Sequence, residues 1–161
     1  MDPKELLKSF MRYSAKQVYV VTSKGERGYS AITVSASTGV SLNPPLILIS
    51  IDKESINHDK LINSRYFILT LLSDNDKQIS RIMAEKKSPE KKLKIVGFEE
   101  TDYGPILKIE RPYLVLKFYR SCEGGDHTII LGEIIGGKIN NIEKPLVYFN
   151  RNYTTIKNEN K

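Results

Sequence analysis

Apolar residues in this chain come mostly in short runs that are rich in Val, Ile, Leu, Tyr and Phe. Runs of this kind, separated by Gly, Pro, Asn and Ser, are typical of β-strands. The continuous apolar run 46–51 indicates a strand that is buried on both faces. The whole pattern predicts strands over 17–23, 29–36, 46–51, 66–72, 106–109, 112–121, 128–135 and 145–149, with an extension over 153–155.

Helix signals are few and short. An Asp-Pro pair at the N-terminus predicts a helix that ends near Ser14. Ser55 is expected to cap a helix that runs to about residue 63, and Ser73 or Asp74 is expected to cap another. The first helix carries one apolar face, formed by Leu6, Leu7, Phe10 and Met11.

The order of these elements favours a mainly β fold. Strands outnumber helices and the two do not alternate regularly, which argues against a doubly wound parallel sheet. We therefore predict an antiparallel β-barrel with peripheral helices, in a single domain over 1–161. The highly charged stretch 85–94 is predicted to be a mobile surface loop.

Composition narrows the partners and the compartment. The formal charge of +6 favours anionic partners, but nucleotides, nucleic acids and phospholipids all qualify. No apolar run approaches the roughly 20 residues of a membrane helix, so no membrane partner is predicted. A single cysteine and no recognisable signal peptide indicate a reducing, cytoplasmic location. The lysine-rich stretch 86–94 lacks interleaved aromatic residues, so nucleic acid is not a predicted partner.

Hydroxyl side chains recur along the second predicted strand. Thr33, Ser35 and Ser37 alternate with apolar residues, so they are expected to share one strand face. A row of hydroxyls with backbone N–H groups could bind a phosphate and the edge of a heteroaromatic ring. The same alternation also fits a strand whose polar face meets solvent.

A second candidate follows the apolar run 46–51. The strand ends at Asp52 and Lys53, and the next segment is Ser55-Ile56-Asn57-His58. Free N–H groups at a helix start can bind an anion, and Lys53, Ser55 and His58 could add donors. The alternative is that Ser55 is an ordinary cap and His58 a surface residue.

A third candidate is the turn Gly124-Gly125-Asp126-His127. Two glycines allow a ligand to approach the backbone, and Asp126 can orient His127 as a hydrogen-bond donor. A plain hairpin turn with an incidental histidine explains the pattern equally. Cys122 has no base beside it, so we predict a buried or half-buried thiol rather than a nucleophile. Two His and one Cys are too few for a zinc site, and no metal site is predicted.

Four motifs occur in a fixed order and carry a resemblance to a known family. They are 33–36 (TVSA), 41–46 (SLNPPL), 55–58 (SINH) and 125–133 (GDHTIILGE), and the closing segment 145–149 with Tyr153 also matches. With this combination the chain resembles the flavin reductase-like family, which is built on the FMN-binding split barrel, a Greek-key antiparallel fold. The resemblance extends from about Phe10 to Ile156.

The resemblance implies a homodimer that binds FMN or FAD non-covalently near the subunit interface. By the same resemblance, Lys53, Ser55 and His58 approach the phosphate or ribityl chain, Gln78 and Arg81 could reach the phosphate, and His127 faces the nicotinamide. The flavin-binding residues that it implies are Ser30, Ala31, Ile32, Thr33, Val34, Ser35, Ser50, Ile51, Asp52, Lys53, Ser55, His58, Gln78, Arg81 and Tyr153.

The activity that the resemblance implies is NAD(P)H-dependent flavin reduction, with hydride passing from nicotinamide C4 to flavin N5. The reduced flavin would supply a separate monooxygenase that hydroxylates an aromatic compound. The alternative is an FMN-binding electron-transfer flavoprotein without fast NAD(P)H turnover. A basic barrel that binds nucleic acid is disfavoured, because the Tyr and Phe residues lie mostly in apolar strand runs. The choices between FMN and FAD, and between NADH and NADPH, stay open.

Overall fold

The computed structural model describes residues 1–142 and 144–159, and within them the chain forms twelve strands and four α-helices. The helices are α1 (Pro3–Arg12), α2 (His58–Ile62), α3 (Lys77–Ala84) and α4 (Pro89–Val96). The strands are β1 (Lys16–Gln17), β2 (Tyr19–Gly25), β3 (Gly28–Val34), β4 (Ser37–Leu42), β5 (Pro45–Asp52), β6 (Tyr66–Leu71), β7 (Phe98–Thr101), β8 (Gly104–Leu107), β9 (Tyr113–Gly124), β10 (His127–Lys138), β11 (Val147–Phe149) and β12 (Asn152–Thr154).

Seven of these strands form one antiparallel sheet in the order β3-β2-β6-β9-β10-β5-β4. The predicted hairpin around the Gly-Gly-Asp turn is confirmed as β9 and β10, which pair from Gly124 and His127 onward. Two small sheets, β1-β11-β12 and β7-β8, complete the β structure of the described residues. The predicted mainly β, antiparallel class with peripheral helices is therefore confirmed.

The apolar core consists of two clusters on opposite faces of β2. Val21 lies in the cluster that contains Phe67 and Ile130, and Val20 lies in the other. Alternate residues of a strand point to opposite faces, so β2 is buried on both sides. The second cluster includes Met83 of α3 and Leu93 of α4, which places these two helices next to β2 and β3.

The prediction of a mobile loop over 85–94 is wrong. Helix α4 occupies Pro89–Val96, and the Ser88 hydroxyl caps it by accepting the N–H of Lys91 at 3.2 Å. Lys92 and Leu93 are buried. The prediction relied on the high charge of the stretch and overlooked the sequence Ser88-Pro89-Glu90, which is a favourable start for a helix.

The strand predicted over 29–36 ends at Val34, and a separate strand begins at Ser37. The N–H of Ser37 donates to the carbonyl of Ser35 at 3.2 Å, which turns the chain between them. The expectation that Thr33, Ser35 and Ser37 share one face of one strand is therefore wrong. Similarly, 153–155 does not extend the last strand, because β12 turns back and pairs antiparallel with β11.

Three further expectations need correction. The helix expected to start at Ser55 begins at His58, because a hydrogen-bonded turn precedes it. Strand β5 is not fully buried on both faces, since Ile47 and Leu48 are only partly buried. Cys122 is exposed, because this end of the β9–β10 hairpin extends beyond the core.

Gly132 of β10 lies against the ring of Phe67 in the first core cluster. A Cβ at this position would lie 2.6 Å from Cζ of Phe67 and 3.0 Å from Cβ of Leu116, and both side chains are fully buried. We expect Gly132→Ala to lower the free energy of unfolding by about 1–3 kcal/mol through overpacking. Chemical denaturation measures the change. Gly39→Ala is the matched control, because a Cβ at Gly39 meets nothing within 4 Å; equal stability of the two variants would contradict the prediction.

Candidate functional site

Two adjoining cavities lie where β3 ends beside the C-terminus of α3. One, here called the polar cavity, has a volume of about 290 Å³, and the other, the tyrosine cavity, has a volume of about 270 Å³. They share Ala84, and consecutive residues of β3 line the two. The polar cavity is lined by Ile32, Asp52, Glu54, Ser55, Ile56, Asn57, Met83, Ala84, Glu85, Lys86 and Lys92, and the tyrosine cavity by Val18, Thr33, Val34, Ser35, Ala84, Tyr148 and Tyr153.

Strand β3 lies at the edge of the main sheet, so one of its sides is free to border the two cavities. Ala31 pairs with Thr22 of β2, but its N–H donates to Oδ1 of Asn57 at 2.9 Å. Since backbone groups alternate in direction along a strand, those of Thr33 face the same outer side as those of Ala31. The edge of β3 therefore offers main-chain donors and acceptors to the two cavities.

Asn57 joins the two walls of the polar cavity, and sequence reasoning missed it. It is 3% exposed and stands at the N-cap position of α2, yet its side chain reaches Ala31 of β3 instead of capping the helix. The available signal was an Asn directly before a short helix, but that signal predicts a cap. Only the tertiary structure shows the contact with β3.

The turn before α2 forms the second wall. Oδ1 of Asp52 accepts the N–H of Glu54 at 2.9 Å, and the hydroxyl of Ser55 accepts the N–H of Asn57 at 3.2 Å. The N–H of Ser55 donates to the carbonyl of Asp52 at 3.1 Å. Asp52 and Ser55, both predicted site residues, are therefore held by their own turn at the rim of the polar cavity.

The tyrosine cavity brings together predicted residues of β3 and β12 beside the end of α3. The Thr33 hydroxyl donates to the carbonyl of Ser80 at 2.6 Å, and the hydroxyls of Ser80 and Tyr153 lie 2.6 Å apart. Arg81 stacks over the Tyr153 ring, with its guanidinium carbon 5.4 Å from the centroid. Tyr148, which we had not singled out, packs edge-on against Tyr153 with ring centroids 5.7 Å apart. The result is an aromatic wall beside a cationic group.

His127 lies at the rim of the same region. In the sheet it stands opposite Asp52 of β5 and Gly124 of β9. Its Nδ1 is 2.7 Å from Oδ1 of Asp126, and the Asp126 carbonyl accepts the N–H of Lys53 at 3.0 Å. Register pairing thus brings the predicted nicotinamide residue next to a residue that lines the polar cavity.

The charge state of Asp126 supports this arrangement. The hydrogen bond from His127 lowers the pKa of Asp126, and the positive charges of His127 and Lys4 lower it further. The carboxylate therefore persists to lower pH than in a free aspartate. It holds Nδ1 of His127, so Nε2 points away from this contact and is available to a ligand.

Other predicted site residues do not line either cavity. His58 is buried and connects α2 to β10, with Nε2 2.7 Å from the Thr128 hydroxyl and Nδ1 3.0 Å from Asp59. Ser30 is fully buried and its hydroxyl lies 2.6 Å from that of Ser23. The predicted residues outside the two linings are Ser30, Ala31, Ser50, Ile51, Lys53, His58, Gln78, Arg81 and His127. Their roles toward a cofactor stay predictions.

A third cavity, of about 350 Å³, is lined by none of the predicted residues. Arg111 borders it, but its guanidinium is held by Asp76 through contacts of 2.6 and 3.0 Å. The side chain of Asp76 also accepts hydrogen bonds from the N–H and hydroxyl of Ser73. The guanidinium of Arg111 is thus already paired with Asp76 and none of the predicted site residues lines this cavity, so it is a weaker candidate for the site.

Comparisons with known proteins show which family and which relatives this chain resembles. The sequence model of the "Flavin reductase like domain" family matches residues 11–157. The reductase component of an FADH2-dependent resorcinol hydroxylase from Rhizobium sp. (strain MTP-10005) is 25% identical over 146 residues, which are 89% of this chain and 82% of that protein. An NADH-dependent FAD reductase from Streptomyces globisporus is 31% identical over 125 residues, which are 73% of this chain and 66% of that protein.

Solved structures share the fold as well. The flavin reductase HpaC, determined in complex with NADP+, superposes with a TM-score of 0.85 and 32% sequence identity. The superposition covers 95% of this chain and 97% of that chain. The shared fold therefore extends over nearly the whole chain.

Proposed function

The chain belongs to the flavin reductase-like family of split-barrel proteins, and on this premise we propose that it transfers hydride from NADH or NADPH to FMN or FAD. The observation that carries the proposal is the register of β10 with β5. It places His127 directly beside Asp52, at the rim of the polar cavity. The residue proposed to face the nicotinamide thus lies beside the cavity proposed to hold the flavin.

The two cavities fit a flavin nucleotide in their chemistry. The aromatic wall of Tyr148 and Tyr153 suits a planar heteroaromatic ring, because offset and edge-on ring contacts are favourable. Ser55 and Lys86 in the polar cavity offer a hydroxyl and a cation to a phosphate. The open edge of β3 can read the polar atoms of the ring through main-chain groups.

The protein's own contribution is binding and orientation. When bound, the flavin supplies the hydride acceptor, and no protein group needs to act as a general acid or base. Asp126 fixes the imidazole of His127 through Nδ1, which leaves Nε2 to hydrogen-bond the nicotinamide amide. This contact would hold the nicotinamide ring in a reactive orientation toward the flavin ring.

A separate oxygenase is the proposed consumer of the reduced flavin. Among the relatives, the protein from Rhizobium sp. is named as the reductase component of a hydroxylase. Hydroxylation of an aromatic substrate by the partner stays a proposal. None of the helices in the described part of the chain has the length and apolar character that a bilayer crossing requires; a cytoplasmic location stays a prediction.

The test is to measure the oxidation of NADH and NADPH with and without excess FMN, FAD or riboflavin. The decrease in the absorbance of the reduced nicotinamide monitors the reaction. We expect fast oxidation that increases with added free flavin, and the rates rank the flavins and nucleotides. A flavin-loaded protein without oxidation would instead indicate an electron-transfer flavoprotein. If the protein neither oxidises NADH or NADPH nor binds flavin, the proposal is refuted and only the fold remains.

The homodimer is proposed on the surface of α1. Its apolar side chains are exposed, Phe10 to 73% and Leu7 to 62%, and a contiguous apolar surface of this kind is typical of protein–protein contacts. The helix is attached at its C-terminal end, where Nε of Arg12 donates to Oδ1 of Asn150 at 2.5 Å and the main-chain carbonyl of Arg12 accepts the N–H of Asn150 at 2.9 Å. A second copy of the chain would cover the exposed face.

Phe10→Glu should weaken this dimer, because it places a charge in the apolar face of α1. We expect the mass measured by light scattering to fall towards that of one chain at micromolar concentration, while the wild type stays dimeric. Ser9→Glu is the matched control, since Ser9 lies on the polar side of the same helix. A monomeric wild type would refute the dimer, and a dimeric Phe10→Glu would remove α1 from the interface.

A further inference from the structure

Lys92 is a buried lysine in the wall of the polar cavity. It lies in the middle of α4 and is 1% exposed. Its Nζ donates to the carbonyl of Met83 at 2.8 Å and to the carbonyl of Glu85 at 3.1 Å. These carbonyls belong to the last turn and the C-cap of α3, so Lys92 connects the two helices.

The ammonium group has no carboxylate partner among the described residues. Both of its acceptors are neutral carbonyls, and the carboxylate of Glu85 pairs with Lys87 at 2.8 Å. Burial lowers the pKa of Lys92, an effect that the charge of Glu85 partly opposes. A buried charge with neutral partners is unfavourable for stability. An apolar side chain at this position would pack beside Met83 and Leu93 without that penalty.

The position of Lys92 in the lining of the polar cavity suggests a function for its buried charge. Among the described residues that line the polar cavity, Lys92 is the only charged one that is buried. Asp52 is engaged by the N–H of Glu54, and Glu85 by Lys87, whereas Glu54 and Lys86 are exposed at the rim. A charge surrounded by protein acts on a ligand more strongly than an exposed, screened charge does. The buried ammonium therefore favours an anionic group in this cavity.

We propose that Lys92 is a specificity-determining residue that makes the site favour phosphorylated flavins, FMN and FAD, over riboflavin. The inference rests on the proposed function, because it takes the flavin as the ligand of the polar cavity. Lys92 acts through the cavity wall: its hydrogen bonds to α3 fix the ammonium in place, and its charge attracts the phosphate. FMN and riboflavin differ by this phosphate, so the ratio of their affinities isolates the effect.

The experiment compares the Kd of FMN with the Kd of riboflavin, both measured by flavin fluorescence. The variants are Lys92→Met, Lys92→Gln, Lys92→Arg and the matched control Lys91→Met, which removes an exposed lysine of the same helix. We expect Lys92→Met and Lys92→Gln to weaken FMN binding about tenfold, as for the loss of one charge-assisted contact, and to leave riboflavin binding unchanged. Lys92→Arg and Lys91→Met should keep the wild-type ratio.

Two results would overturn the proposal. Equal weakening of FMN and riboflavin binding would mean that Lys92 only holds α3 against α4. Unchanged Kd values for both flavins would mean that its charge does not reach the phosphate. Lys92→Gln retains an N–H donor for the carbonyls of α3, so it gives the answer if Lys92→Met does not fold. A wild type that binds neither FMN nor riboflavin would instead refute the proposed function itself.

Discussion

His127→Ala is expected to lower kcat/KM for NADH by about ten- to hundredfold, because an orienting contact to the nicotinamide is lost. Flavin affinity should stay at the wild-type value, since His127 lies at the rim and lines neither cavity. Activity should persist at a reduced level, because the two rings can still meet without the imidazole. Steady-state kinetics with varied NADH, together with a flavin titration, measure both quantities.

Cys122→Ala is the matched control for this variant. Cys122 is exposed on the same β9–β10 hairpin and pairs in register with Ile129, away from the cavity linings. It should show wild-type kinetics. Loss of flavin binding with intact turnover in His127→Ala would place the histidine on the flavin and contradict its assignment to the nicotinamide.

Asn57→Ala should weaken FMN binding by tenfold or more and lower the free energy of unfolding by about 1–3 kcal/mol. The variant leaves the N–H of Ala31 buried without its partner and releases the turn before α2 from β3. Both walls of the polar cavity then lose their fixed spacing. Flavin titration and chemical denaturation on the same preparation give the two values.

Asn63→Ala tests whether the effect is specific to Asn57. Asn63 follows the same helix and donates to the carbonyl of Asp59 at 2.7 Å, but it is exposed. It should change flavin affinity little. An Asn57→Ala protein with lower stability and unchanged affinity would show that the contact to Ala31 supports the fold and not the cavity.

Local pattern was sufficient to predict most of the main sheet. Strand β6 and the β9–β10 hairpin were predicted because their β-branched and aromatic runs are bounded by turn residues. Helix α4 was missed because its many lysines resemble a solvated loop, and the burial of Lys92 depends on carbonyls at the end of α3. The break between β3 and β4 was missed because the hydroxyl alternation continues through it.

The site divides in the same way. Ile32, Thr33, Asp52 and Ser55 were predicted through the family resemblance, and the structure places them in the two cavity linings. Three site residues were not predicted, because each contacts a residue of a different element: Asn57 contacts Ala31, Lys92 contacts Met83 and Tyr148 contacts Tyr153. The hydroxyl of Ser30 faces the interior, which no alternation pattern could reveal without the partner Ser23.

The free edge of β3 has a consequence for handling the protein. An uncovered strand edge can pair with the edge of another molecule, which is a route to aggregation. Here the side chain of Asn57 covers the edge at Ala31, and the stretch that follows borders the cavities. A bound cofactor would shield this remaining stretch, so preparations stripped of flavin should precipitate sooner on storage than saturated ones.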